Sequence, residues 1–296
     1  MSLFWDLYSF AQEQKKPFLL DKIISFHKYF YEKERERVLT YKPNLIMPKT
    51  MCEKILWLMT HGDLSLKTLL TDKIEVKKWV SNIIGEKYVA KTYAICDDLS
   101  EVDWDTIPDK FAIKASHGCR MNVFVQNKEQ FMKFLYPKAI ETTKYWLNIN
   151  YSDFCGEIQY KNIPRKLLIE ELTVEDKVST RIDYSFHCFN GKIEFIEHNF
   201  ISKKDATGFI FDRNGEQLDF VFSGDYTKKE FEIPPEFEKM REVAEELAKD
   251  FRYVRVDLRA TKDSFIFGEM TFTPYAGTIP FSDKKYDLEL GKKIIL

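Results

Sequence analysis

The stretch from Arg255 to Thr273, RVDLRATKDSFIFGEMTFT, places acids, a hydroxyl and a guanidinium where a metal and nucleotide site would need them. Val254, Val256 and Leu258 alternate with Arg255, Asp257 and Arg259, so this part reads as a strand with one apolar and one charged face. Phe265, Phe267, Glu269 and Thr271 share one face of a second strand. Cross-strand partners in a hairpin lie on the same face, so Asp257 can oppose Glu269 and Arg255 can oppose Thr271. That parity calls for an odd-length loop or a bulge around Thr261 to Ser264. Two carboxylates on neighbouring strands repel unless a cation lies between them, and Mg2+ is the hard ion that suits carboxylates together with phosphate oxygens. An exposed hairpin with surface ion pairs fits the same residues equally well when they are taken alone.

The elements that must position these groups read as mixed α and β. Pro235 to Asp250 has Met240, Val243, Ala244 and Leu247 on one side of a helix that delivers the chain into the Val254–Leu258 strand. Asp183 to Phe200 is a hairpin, because Asn190-Gly191 is the preferred two-residue type I′ turn. Pairing Phe189 with Lys192 sets Phe186 opposite Phe195 and Cys188 opposite Ile193 on one face. Asp183, Ser185, His187, Glu194 and His198 then fall on the other, together with Phe189 and Ile196. Asp183 and His198, cross-strand partners in this register, are the candidates for a cleft wall. Phe111–Lys114 and Val123–Gln126 read as strands flanking the polar turn Ser116-His117-Gly118, and Leu167–Leu172 as a further strand. Helices are expected at Met51–Met59, at Lys73–Ile84 with Gly85 as its stop, and at Lys128–Asn148 with a break or kink at Pro137. Residues near 18 to 40 carry a helical stripe of Leu20, Ile23, Ile24, Phe30 and Tyr31, in which His27 reads as a core or boundary residue.

Composition narrows the class. A chain of 296 residues that is 44% hydrophobic can bury one large core or two moderate ones. Its formal charge of −2 gives no global basic field for nucleic acid, so no nucleic-acid partner is expected. Cys52, Cys96, Cys119, Cys155 and Cys188 are odd in number and lack CxxC or CxxH spacing, which argues against a disulfide framework or a structural zinc site and for reduced, cytoplasmic thiols. No apolar run approaches a membrane span, and MSLFWDLYSF, interrupted by Asp6, does not read as a signal peptide.

Six ordered blocks carry a family resemblance. PKTMCEKILWLM (Pro48 to Met59), DKIEVKKWV (Asp72 to Val80), IPDKFAIKASHG (Ile107 to Gly118), GEIQYKNIPRKLLIEEL (Gly156 to Leu172), DYSFHCFNGK (Asp183 to Lys192), and RVDL with FGEMTFTPYAG (Arg255 to Gly277) together resemble the TupA-like ATP-grasp family. The resemblance implies an α+β, ATP-grasp fold: two α+β lobes enclosing a nucleotide site. The expected division is a helical N-terminal region over 1–70, one lobe over 71–170, and a second lobe over 171–296 carrying the metal ligands.

The resemblance also assigns roles. Lys73 and Lys114 match the lysines that grip ATP phosphates, and His117-Gly118 the loop that folds over them, although Cys119 and Arg120 stand where small residues are usual. Glu170, Glu171 and Leu172 match the segment that meets adenine. Asp257 and Glu269 match the Mg2+-binding acids, with Thr271 where an asparagine oxygen is common, and Arg255 is the candidate for stabilising an acyl phosphate and tetrahedral intermediate. Ser185 departs from the pattern, since a lysine is common there, and Arg181 is a weak substitute. The implied activity is Mg-ATP-dependent joining of an amine or amino acid to a carbohydrate carboxylate, in bacterial surface polysaccharide or teichuronopeptide biosynthesis. Two rival readings remain. Asp103-Trp104-Asp105 fits the DxD of a glycosyltransferase, although its setting reads as a solvated turn. Ser185 and the imperfect phosphate loop fit a non-catalytic nucleotide-binding module.

Overall fold

A computed structural model of the chain describes residues 33, 35–173, 181–201, 206–220, 222, 233–234 and 236–296. Its main helices are α1 (Met51–Thr60), α2 (Leu64–Thr71), α3 (Glu75–Ile84), α4 (Tyr136–Leu147), α5 (Phe237–Ala248) and α6 (Lys284–Lys293). A smaller antiparallel sheet contains β1 (Thr92–Cys96), β2 (Phe111–Ala115), β3 (Asn122–Val125) and β4 (Leu167–Glu171), in the order β1-β4-β2-β3. A larger one contains β5 (Arg181–Phe189), β6 (Lys192–Ile201), β7 (Ala206–Phe211), β8 (Tyr253–Ala260) and β9 (Phe265–Thr271), in the order β7-β6-β5-β8-β9.

Each sheet has one core face and one face that contributes to a shared cleft. In the smaller sheet, Phe111, Ile113, Leu167 and Ile169 alternate to one side and pack with Phe131 and Trp146. Ala112, Lys114, Leu168 and Glu170 alternate to the other and line the cleft. The chain enters α4 through a wide π-type turn at Phe131–Leu135, as the break expected at Pro137 requires. Proline has no N–H, and its ring clashes with the carbonyl four residues back.

In the larger sheet, Tyr184, Phe186, Ile196 and Val256 pack beneath α5 and α3, whose Met240, Ala244, Val76 and Val80 complete that core. Residues 75–84 therefore pack on the larger sheet rather than on the smaller one. One end of its second face is covered by α1 and α6, where Phe189, Phe195 and Tyr253 meet Met51, Ile55 and Leu290. Met51 and Ile55 are fully buried, each contributing roughly 1.5–3 kcal/mol by leaving water. A capping box starts α1, with Thr50 accepting from Glu53 N–H and Glu53 accepting from Thr50 N–H. Asp287 of α6 accepts from Cys52 N–H at 2.8 Å and from the Tyr41 hydroxyl at 2.6 Å, locking the two helices together.

The sequence reading did not anticipate β1, β7, α2 or α6. Of the stripe near 18 to 40, residues 35–39 are helical, and His27 and the rest of that stripe before residue 33 lie outside the described residues. The hairpin register needs a correction. Asn190-Gly191 turns the chain, and Phe189 pairs with Lys192 and Cys188 with Ile193 as expected. A bulge at Glu194 then shifts β6 by one residue, so Phe186 pairs with Ile196 and Asp183 with Asn199 instead of Phe195 and His198. A one-residue slip exchanges faces, so Ile196 and His198 turn into the core and Glu197 turns toward the cleft.

The β8–β9 hairpin forms both expected pairs, Asp257 with Glu269 and Arg255 with Thr271. Its extra residue is Gly268, within β9, and not in the turn, which is closed by Thr261 N–H donating to Ser264 O at 2.9 Å. Glycine relieves crowding at this bulge, since a Cβ there would lie 3.0 Å from the Asp257 carbonyl oxygen.

Candidate active site

The cleft between the sheets encloses ≈ 440 Å³. On the larger-sheet wall, Arg255 lies between two acids. Its Nε and Nη2 donate to Asp257 Oδ1 and Oδ2 at 2.7 and 2.5 Å, and Nη2 also reaches Glu269 Oε1 at 3.1 Å and Thr271 Oγ1 at 3.2 Å. Thr271 does not itself line the cleft; its hydroxyl donates to Glu269 Oε1 at 3.0 Å and so orients that acid. Burial pushes Asp257 up to about 7, with Arg255 opposing and Glu269 adding to the rise. Against the same loss of water, Arg255 and Lys73 hold Glu269 below its usual value.

On the smaller-sheet wall an acid lies between two cations. Glu170 is buried, and its two oxygens meet Lys77 Nζ and Lys114 Nζ at 2.5 Å each. Burial alone would raise Glu170, but Lys114 and Lys77 outweigh it and hold the carboxyl below its usual value. Both Glu170 oxygens are thus engaged by lysines. Glu171 accepts from Lys91 N–H at 3.1 Å, and half-buried Leu172 lines the cleft beside it.

Lys73 also lines the cleft, and its Nζ donates to Gly118 O at 2.6 Å. Burial lowers its pKa, with nearby Glu269 opposing the shift. Asp183 accepts from Arg259 Nε at 2.9 Å, while Arg259 Nη1 donates to Thr173 Oγ1 at 2.6 Å. This chain of contacts ties the end of β4 to β8.

Besides Thr271, three expected site residues, His117, His198 and Gly118, do not line the cleft. His117 is buried, and its Nε2 bonds the Trp146 carbonyl at 3.0 Å because the turn after β2 packs the ring against the end of α4. His198 is stacked on Phe209 with ring centroids 4.5 Å apart, carried into the core by the Glu194 bulge. Burial holds it neutral, with its pKa lowered to about 4. Gly118 contributes its carbonyl to Lys73; a Cβ there would lie 2.5 Å from Met121 Sδ, so a larger residue would require the Met121 side chain to shift. Asp103 and Asp105 are exposed in a turn closed on Asp103 Oδ1, with Trp104 packed against Phe111 and Phe131, and neither acid lines the cleft.

Sequence reasoning passed over Lys77, Arg259 and Glu197. Lys77 follows Lys73 by four residues, one helical turn on, and Arg259 follows Asp257 by two on the same strand face, so both carried a usable signal. Glu197 did not, because the bulge hides it.

Asp257 and Glu269 are hard oxygen donors side by side on paired strands, a donor set that fits Mg2+ completed by phosphate oxygens. Among the described residues no group of three His, Cys, Asp or Glu side chains forms a metal site, and no helix is long and apolar enough to cross a membrane. Cys52, Cys96, Cys119 and Cys188 are free thiols.

Two antiparallel α+β lobes holding a charged cleft between their sheets constitute an ATP-grasp fold. A model of the TupA-like ATPgrasp family matches residues 53–295, and the chain belongs to that family. Curated protein sequences yield no match. Among solved structures, D-alanine–D-alanine ligase from Helicobacter pylori aligns with a TM-score of 0.43 and 16% identity over 77% of this chain and 62% of that one. The Bacillus anthracis enzyme of the same name gives 0.43 and 14% over 69% and 56%. The ATP-grasp ligase PsnB, complexed with minimal precursor, gives 0.40 and 13% over 71% and 54%. The chain therefore spans less than two thirds of the length of each.

Proposed function

We propose that this protein is a Mg-ATP-dependent carboxylate–amine ligase that joins an amino acid or amine to a sugar carboxylate, such as a uronic acid, by way of an acyl phosphate. The observation that carries this reading is the wall formed by Asp257, Glu269 and Arg255, set across one cleft from Lys73 and Lys114. Lys73 and Lys114 would bind phosphate oxygens, a task suited to compact ammonium groups. Asp257 and Glu269 would hold Mg2+, with Thr271 fixing the Glu269 carboxylate. When bound there, Mg2+ would supply charge neutralisation to the phosphates for phosphoryl transfer to the substrate carboxylate. Arg255, already polarised toward the acids, can turn its guanidinium to the acyl phosphate and to the oxyanion formed when the amine attacks. The amine nitrogen forms its bond to the acyl carbon, inorganic phosphate leaves, and the amine loses a proton.

A cytoplasmic site, where ATP is available, and a place in bacterial surface polysaccharide biosynthesis complete the proposal. Family membership supports the nucleotide chemistry; the sugar carboxylate rests on the family's association alone. The test is ATP- and Mg2+-dependent hydroxamate formation from a panel of hexuronic and amino acids in the presence of hydroxylamine. Hydroxamate from a uronic acid supports the full reading. Hydroxamate from amino acids alone keeps the ligase and removes the sugar, and none from any acid overturns the ligase.

A further inference from the structure

The Glu194 bulge does more than move His198 inward; it delivers a carboxylate to the cleft. Beyond the bulge, Glu197 pairs with Ser185, and Ser185 pairs on its other side with Asp257, so one row of the sheet reads Glu197, Ser185, Asp257, Glu269. Glu197 lines the cleft although only 4% of its surface is exposed. His187, fully buried, sets its Nε2 3.5 Å from Glu197 Oε2. The His187 Nδ1 is engaged with the Tyr253 hydroxyl at 3.0 Å.

A second feature closes the same end of the cleft. Tyr275 and Ala276 are consecutive non-glycine residues with φ of +51°, a left-handed backbone that residues with a Cβ adopt at a cost. This places Tyr275 in the cleft lining, within electrostatic reach of both Glu197 and Arg255, with its ring edge on Phe222. Bulges and left-handed residues both re-aim side chains, and here both devices converge on Glu197. Glu197 and Asp257 are two strand spacings apart, roughly 9–10 Å between Cα atoms, a gap that admits two small reacting groups.

We propose that Glu197 docks the nucleophile of the reaction as a primary ammonium compound, with Tyr275 beside it, next to the electrophilic carboxylate held at Arg255. An ammonium adds an ion pair to the Glu197 carboxylate that a neutral isostere cannot form. The proposal rests on the ligase reading above and adds the subsite that reads the amine.

The test supplies the full chain with Mg-ATP, the hexuronic acid panel and one of two kinds of nucleophile. Hydroxylamine is uncharged near neutral pH and traps an acyl phosphate without an ammonium site. The other kind is a panel of primary amines and amino acids. In Glu197→Gln, amine-dependent kcat/KM falls at least about tenfold further than hydroxylamine trapping does, through the KM for the amine, and Glu197→Asp recovers part of that loss. Equal loss with both nucleophiles, or no loss with the amine, overturns the subsite. So does a wild type that forms hydroxamate and accepts no amine. No hydroxamate from the wild type with any acid overturns the ligase reading and the subsite with it. If Glu197→Gln does not fold, the wild type still decides: ethylammonium slows hydroxamate formation and ethanol does not. Inhibition by both or by neither overturns the proposal.

Discussion

On one wall of the cleft an acid sits between two cations, Lys77, Glu170 and Lys114. On the other a cation sits between two acids, Asp257, Arg255 and Glu269. Each triad satisfies its central group and leaves one unit of charge, positive on the smaller sheet and negative on the larger. A buried charge is tolerated only when paired, so the central residue of each triad keeps its partners in place while the surplus stays available to a ligand. The positive wall suits phosphate and the negative wall suits Mg2+. The two walls are also built differently. Lys114 and Glu170 lie on β2 and β4, which pair with one another in unbroken register while the bulge at Tyr93 falls on β1, whereas the opposite wall depends on bulges at Glu194 and Gly268.

Removing a central residue should break this comparison most severely. Arg255→Met leaves Asp257 and Glu269 facing one another, and ATP-dependent turnover should fall about 10²–10³-fold, as when a transition-state donor is lost. Chemical denaturation should show a loss of roughly 3 kcal/mol. Arg255→Lys should rescue little, because one ammonium cannot reproduce the two-pronged contact with Asp257. Turnover of Arg255→Lys close to wild type would show that the triad geometry is incidental.

The bulged wall has a pH signature. His187 and His198 are both held neutral, each with its pKa lowered by burial to about 4. In the unfolded chain they bind protons near pH 6.5, so their share of stability is complete above about that pH and is lost as pH falls toward about 4. The expected loss is roughly 1–3 kcal/mol per histidine by equilibrium unfolding. His198→Phe should flatten the profile by one histidine's share while leaving turnover near wild type. A collapse of turnover in His198→Phe would return that residue to the cleft.

A smaller effect is expected on the straight wall. Lys77→Met removes one of the two cations on Glu170, and the KM for ATP should rise about tenfold, the value of a charge-assisted bond, with Lys77→Arg recovering most of it. A change in kcat alone would point to a different role. The smallest effect belongs to Asp103→Asn with Asp105→Asn, in the exposed turn. Neither turnover nor stability should move by more than about 0.5 kcal/mol equivalent.

This contrast also explains what the sequence could tell. The Asp257–Glu269 and Arg255–Thr271 pairs were legible because strict alternation around Val256 and Leu258 fixes which side chains share a face. Lys73 and Lys114 stood out among 45 lysines and arginines only through their place in the family blocks. The face assignment of Glu197 and His198 failed because a bulge adds one residue that leaves no mark on composition or periodicity. Glu194-Phe195-Ile196 reads as regular alternation whether or not the ladder skips a partner. Glu170 was located, but its setting between two lysines was not, since Lys77 reaches it from α3, 93 residues earlier.

The division of labour between the walls is tested most directly by the melting temperature of the full chain with ADP, in the presence and absence of Mg2+. The wild type and Asp257→Asn, Glu269→Gln would be compared. In the wild type ADP should stabilise the protein, and Mg2+ should enlarge the shift, in line with roughly 2–3 kcal/mol of stabilisation at a ligand excess of about a hundredfold over Kd. The double variant should keep the Mg2+-independent part, which comes from Lys73, Lys77 and Lys114, and lose the Mg2+-dependent part. An unchanged Mg2+ response in the variant, or no response to ADP in the wild type, would contradict the account.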